Sequence, residues 1–208
     1  MASRKADHVL SESTTIPHGG GQVLHYSIFE GLPEVLTKPV IMSDGFSTLV
    51  PAFTLKANLK GHPATGATSR HPGGISVVDI TSGTLISAPN YPAKLNAVFL
   101  NGCDYIKPDT SGKFLRLDVK SLLKDESGAL ITLYYTGHVE TTEAILKALS
   151  GAPDAKTVEF GNISTHVTFE TDSQEFSLLE QKIYVGNGRF IVEDGNLIVE
   201  YKISQVQA

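Results

Sequence analysis

Beyond residue 50, apolar and polar residues alternate in short stretches, the period of two that a half-buried strand imposes. Phe53, Leu55, Ala57 and Leu59 alternate with Thr54, Lys56, Asn58 and Lys60, and residues 130–135 and 165–171 have comparable β propensity. The pattern is clearest at the end of the chain. Two β-branched runs, 189–193 and 196–203, flank Asp194-Gly195, and that dipeptide predicts a hairpin because a type I′ turn needs positive φ at both central positions. In the second run Leu197, Val199, Tyr201 and Ile203 share an apolar face, while Ile198, Glu200, Lys202 and Ser204 make a mixed one. Turn signals recur at Gly73-Gly74, Ser82-Gly83, Asn101-Gly102, Ser111-Gly112, Ser127-Gly128 and Gly186-Asn187-Gly188. Many short strands at near-even spacing predict an all-β fold, and an antiparallel β-barrel is favoured because closure removes exposed sheet edges.

Two stretches break the period. Ile145, Leu146 and Leu149 have helical spacing between Thr141-Thr142 and Gly151, which predicts a short helix over 141–149. Residues 171–180 open with capping residues and predict a second one. The first 50 residues read differently: Gly19-Gly20-Gly21 is a flexible signal, 22–29 has strand composition, and Pro33, Pro39 and Pro51 interrupt the next two dozen residues. Residues 1–50 are therefore expected to form an arm packed on the barrel or on a partner subunit, and 51–208 the barrel domain. An arm of this kind suits a homodimer.

Composition narrows the function classes. With 208 residues, 41% hydrophobic, the chain has material for one substantial core. A net charge of -5 with no basic runs argues against nucleic acid as a partner. No apolar run approaches the roughly 20 residues of a membrane helix, and no signal core follows the start, so a soluble cytoplasmic protein is expected. Cys103 is the only cysteine, which excludes an internal disulfide. There is no Gly-x-Gly-x-x-Gly after a strand, no phosphate-binding Gly-Lys-Ser/Thr loop and no Gly-x-Ser-x-Gly elbow, and no metal-ligand spacing joins His62, His71 and their neighbours. Neither a cofactor nor a metal is expected.

Two strand faces carry candidate chemistry. Arg116, Asp118 and Lys120 alternate and share a face: inward, they would orient a polar ligand group; outward, they form a solvated surface. Thr132, Tyr134, Thr136, His138 and Glu140 share another, opposite Ile131, Leu133, Tyr135 and Val139. There Tyr134 and His138 would serve as donor and base in proton transfer, or stand as rim residues. Asp104 follows a tight turn, where a carboxylate is either an Asx-turn acceptor or a site group.

From about Phe53 to Val206 the chain resembles the family known as domain of unknown function 3237, small bacterial and fungal β-barrel proteins. Thr81-Ser82-Gly83-Thr84 with Ala88-Pro89 is similar to its glycine-rich turn and small-residue-proline step, Asn101-Gly102-Cys103-Asp104-Tyr105 to its Gly-Gly-x-Asp-Trp segment, and Leu117-Asp118-Val119-Lys120 to its Leu-Asp-x-Arg. Residues 125–131 resemble its acidic turn and next strand, and 184–189 its ending. Tyr105 stands where a tryptophan is usual and Lys120 where an arginine is usual. The resemblance implies a barrel comparable to allene oxide cyclase and dirigent proteins, whose chemistry steers reactive small molecules into one ring closure or coupling. It supports site roles for Asp104 and Asp118.

The expected function is a cofactor-independent cyclase or isomerase, pericyclic closure included, acting on an apolar polyketide- or terpenoid-like intermediate of secondary metabolism. Tyr134, His138 and Asp118 are the expected catalytic residues, with Asp104, Tyr105, Arg116 and Lys120 binding the ligand. The competing readings are a lipocalin-like carrier that leaves its ligand unchanged and a structural oligomer with a filled barrel.

Overall fold

Eight antiparallel strands follow one another around a closed barrel in sequence order, and the last pairs with the first. In this computed structural model the described residues are 45–208. The strands are β1 (Thr48–Gly61), β2 (Ser76–Ser87), β3 (Asn96–Pro108), β4 (Phe114–Asp125), β5 (Leu130–Glu140), β6 (Ile163–Thr171), β7 (Tyr184–Glu193) and β8 (Asn196–Gln207). One helix, α1 (Glu143–Ser150), stands between β5 and β6. The expected strand at 22–29 and the arm up to residue 44 lie outside the described residues; residues 48–50, expected at the end of that arm, belong to β1 and pair with β8.

The predicted terminal hairpin forms as expected, with Asp194 at φ 50° and Gly195 at φ 76° joining β7 to β8. The helix forms too. The Thr142 side chain accepts a hydrogen bond from the Ile145 N–H, and Gly151 closes the helix in the left-handed region at φ 64°. The 171–180 stretch departs from expectation: only a single 3₁₀ turn forms, displaced to Ser177–Gln181. Leu179 and Phe176 are buried there, so that segment packs through two anchors, without the apolar stripe of a longer helix.

Three of the glycine signals do not mark turns. Gly83 lies within β2, Gly102 within β3, and Gly186 and Gly188 within β7. They occupy the inner wall, where there is no room for a Cβ. At Gly102 it would come 2.7 Å from the Ser121 hydroxyl, and at Gly188 it would come 2.5 and 2.8 Å from the Tyr201 ring. These glycines make space for neighbouring side chains in a lumen that eight strands barely leave open. Gly188→Ala is therefore expected to cost about 1–3 kcal/mol, as core overpacking does. A denaturant titration checks this, and an unchanged midpoint would show that the wall yields around Tyr201.

Inward-facing residues fill the half of the barrel away from α1. Phe53 sits at its centre, with ring centroids 5.0 Å from Tyr91, 5.5 Å from Phe169 and 5.7 Å from Tyr184. Leu85, Leu123, Ile131 and Leu133 complete this plug, all fully buried. Its phenols are satisfied internally: Tyr184 donates to the Tyr91 hydroxyl at 2.8 Å, and Tyr91 donates to the Gln205 side-chain oxygen at 2.8 Å.

On the outside, Glu200 is only 3% exposed. Arg189 donates to its carboxylate through Nε and Nη2, each at 2.7 Å, and Lys202 approaches to 3.3 Å. The guanidinium also lies 4.7 Å from the Phe160 ring. Burial alone would raise the Glu200 carboxyl, yet the hydrogen bonds from Arg189 and Lys202 hold it below its usual range. This clamp fixes β7 against β8 beside the strand position that carries Tyr201.

Candidate functional site

The other half of the barrel is hollow. A cavity of about 260 Å³ opens at the α1 end, with Ala148, Leu149 and Gly151 of the helix segment on one side and Gly195-Asn196 of the hairpin on the other. That volume is near the lower limit for small-molecule pockets. Its walls are mainly aliphatic and aromatic, including Ile80, Leu117, Val139, Phe190 and Val199. Besides Asn196 of the hairpin, three polar side chains interrupt this surface: Asp104 from β3, Tyr135 from β5 and Tyr201 from β8.

Strand register sets their positions. Asp104 pairs with Val119, which in turn pairs with Tyr135, so the acid and the phenol share one level of the barrel, roughly 10 Å apart at the backbone. Tyr201 lies opposite Gly188 on the far wall, and its ring centroid is 5.2 Å from that of Tyr135. The lack of a side chain at Gly188 is what lets Tyr201 lie there. Each group interrupts an otherwise apolar face: Tyr135 stands with Ile131, Leu133 and Val139, and Tyr201 with Leu197, Val199 and Ile203.

Asp104 is 7% exposed, and its Oδ1 accepts a hydrogen bond from the Asp118 backbone N–H at 3.0 Å. Burial pushes its carboxyl up to about 6; the Asp118 N–H and the Lys107 ammonium counteract this, and the Asp118 charge reinforces it. Burial holds Tyr135 well above its ordinary value, and the adjoining Tyr201 and the Asp104 charge raise it further. Tyr201 is raised by burial and by Asp104. The result is a carboxyl group that changes protonation near neutrality in the company of two phenols that stay protonated. This combination can accept and return a proton while donating hydrogen bonds to a developing oxyanion.

Of the seven residues expected to form a site, Asp104 alone faces this cavity. Tyr134, His138, Asp118, Tyr105, Arg116 and Lys120 all occupy the outer face. Alternation decides this, because Leu117, Val119, Tyr135 and Val139 point inward and their neighbours therefore point out. Asp118, Lys120 and Tyr134 meet in a shallow outer depression, and Asp118 pairs with Lys107 at 3.4 Å. Arg116 pairs with Asp109 at 3.1 Å. His138 stacks edge-on against Phe114, with centroids 5.5 Å apart. Tyr134 and His138 are four residues apart on one strand, about 13 Å, which is too far for a donor and base acting on the same bond. Tyr135 and Tyr201 are the site residues that sequence reasoning misses. Their signal in the sequence is a phenol placed within an apolar alternating set.

No group of three or more His, Cys, Asp or Glu side chains with metal-binding geometry occurs among the described residues. No helix of the described residues is long and apolar enough to cross a membrane.

The family model described as "Protein of unknown function (DUF3237)" matches residues 47–206. No curated protein matches the chain significantly. Among solved structures, a conserved protein of unknown function from Rhodopseudomonas palustris is similar with a TM-score of 0.61 at 19% identity, covering 77% of this chain and 97% of that one. A β-barrel-like protein from Acinetobacter baumannii is similar with a TM-score of 0.55 at 24% identity, covering 80% and 99%. A protein from Penicillium herquei described as an enzyme is similar with a TM-score of 0.50 at 17% identity, covering 77% and 95%. At these identities the likeness concerns the fold.

Proposed function

The chain belongs to the DUF3237 family, and we propose that it is an acid–base isomerase or cyclase that takes an apolar small molecule of the polyketide or terpenoid kind into the hollow half of the barrel. One observation carries this reading: a buried carboxyl, which burial pushes up to about 6, faces an apolar cavity together with two phenols. The description of the Penicillium herquei protein as an enzyme is in keeping with it.

In this reading the Asp104 carboxylate removes a proton from a carbon next to a carbonyl group, or from a hydroxyl. Tyr135 or Tyr201 donates a hydrogen bond to the carbonyl oxygen as negative charge develops there. Asp104, now protonated, returns the proton at a second position, which completes an isomerisation. If the bound chain is folded so that the enolate carbon meets an electrophilic carbon, the new bond closes a ring, and confinement supplies much of the advantage.

The test begins with protein purified from its native host, followed by organic extraction to recover the bound molecule. That molecule is then incubated in heavy water with wild type, Asp104→Asn and Tyr135→Phe. Wild type is expected to exchange deuterium into the ligand or convert it, and Asp104→Asn to lose about 10²–10⁴-fold of that rate. Tyr134→Phe and His138→Ala, on the outer face, are expected to retain it. A ligand returned unaltered and unlabelled by wild type makes the barrel a carrier and overturns the proposal.

A further inference from the structure

We infer that the cavity selects its ligand by charge, admitting an uncharged molecule with a hydroxyl or enol donor and rejecting carboxylates and phosphates. The inference rests on the reading of this cavity as a ligand site and says which class of molecule fits it. The described residues that line the cavity include one ionisable acid, Asp104, and no lysine, arginine or histidine. Lys107, the cation whose charge acts on Asp104, belongs to the outer face, where its ammonium pairs with Asp118 at 3.4 Å.

An anion entering this space would meet a carboxylate in a low-dielectric enclosure whose lining holds no cation. Such a pair repels strongly, and one of the two must bind a proton to relieve it. A neutral donor meets a different situation. The Asp104 Oδ1 is already engaged by the Asp118 N–H, so the carboxylate has acceptor capacity left for a ligand hydroxyl or enol. The Tyr135 and Tyr201 phenols, held protonated, offer donors for a carbonyl oxygen on the same molecule. Donor and acceptor on one compact, largely apolar skeleton therefore match the wall.

Charge and size together also give the protein a place in a reaction sequence. A terpenoid still bearing diphosphate, or a polyketide still attached to a phosphate-containing carrier, is excluded by charge and by a cavity of about 260 Å³. The substrate is supplied by a reaction that has already released the skeleton in neutral form, either as a ketone or phenol by thioester hydrolysis followed by decarboxylation, or as an alcohol by hydrolysis of the phosphate ester.

Three probes of nearly equal size separate the possibilities: 1-naphthol, 1-naphthoate and 1-naphthylmethylammonium, titrated calorimetrically into the full chain at about pH 7.5. Naphthol is expected to bind at least about tenfold more tightly than naphthoate, and Asp104→Asn is expected to close most of that gap. Naphthoate binding as well as naphthol in wild type overturns the charge rule while leaving the cavity a ligand site. So does a gap that persists unchanged in Asp104→Asn. A cation bound more than about tenfold tighter than naphthol, with that preference lost in Asp104→Asn, overturns it in favour of an amine site. Failure of all three probes to bind overturns the cavity reading itself, and the inference with it.

Discussion

Asp104→Asn is expected to raise the melting temperature at about pH 8 by several degrees and to raise it progressively less as the pH falls from 6 towards 4. Asp104 has its carboxyl at about 6 in the folded barrel, against an ordinary value of 3.8. The folded state therefore binds this proton more tightly than the unfolded chain does. Its contribution to stability is fully present below about 3.8 and is lost as the pH rises through about 6. A displacement of about two pH units corresponds to roughly 3 kcal/mol at the most, since each unit is worth about 1.4 kcal/mol. The asparagine keeps an oxygen to accept the Asp118 N–H and never ionises, so it removes the burden and leaves the hydrogen bond in place. Paired melts of wild type and variant across this range check the expectation. A difference independent of pH would mean that Asp104 is not held at a raised value in the folded protein.

Phe53→Ala is expected to be the more damaging change, by about 3–5 kcal/mol, the usual range for removing a buried aromatic ring. Phe53 is 2% exposed and lies edge-on or tilted against three other aromatic rings. Deleting it takes away these contacts and leaves a void in the plug, between walls that are hydrogen-bonded strands and cannot collapse freely. Chemical denaturation measures the loss. The second readout is ligand size: with the plug opened, the naphthol site should accept a larger skeleton than wild type does. A loss below about 1 kcal/mol would show that Tyr91, Phe169 and Tyr184 repack into the space.

Much of this architecture is legible in the sequence because strand patterning and turn chemistry are local. The terminal hairpin needs only Asp194-Gly195 between two β-branched runs, and α1 only Thr142, Gly151 and a short apolar stripe. The glycine pairs show where local reading ends. Ser82-Gly83 and Asn101-Gly102 have the composition of a turn, yet they lie inside strands beside shifts in register, and glycine is needed there because Lys56, Ala57 and Phe99 crowd one and Ser121 and Ile80 the other. Those neighbours come from distant parts of the chain, so the requirement for a missing side chain is invisible locally.

The site is harder to read for a different reason. Both faces of β5 carry an aromatic residue, and the polar face, with Tyr134 and His138, holds the more familiar chemistry. In a small closed barrel, however, the apolar face is the one that turns inward. The candidate site group is then the exceptional polar residue on that face, which on β5 is Tyr135. Asp104 is recoverable from its family match. Tyr201 reads in the sequence as an ordinary core position among Leu197, Val199 and Ile203, and its hydroxyl becomes significant only when β8 closes against β1 and turns it towards Asp104.

The aromatic plug has a kinetic consequence. It makes the lumen a blind vessel, with contents that arrive and depart through the same end of the barrel, beside α1 and the Asp194-Gly195 turn. Molecules must take turns: a fresh substrate cannot follow a product through, as it would in a tube open at both ends, and must wait for the space to empty. In the proposed reaction, product would then compete with substrate for the one mouth, and turnover at high substrate would be paced by the departure of the previous occupant.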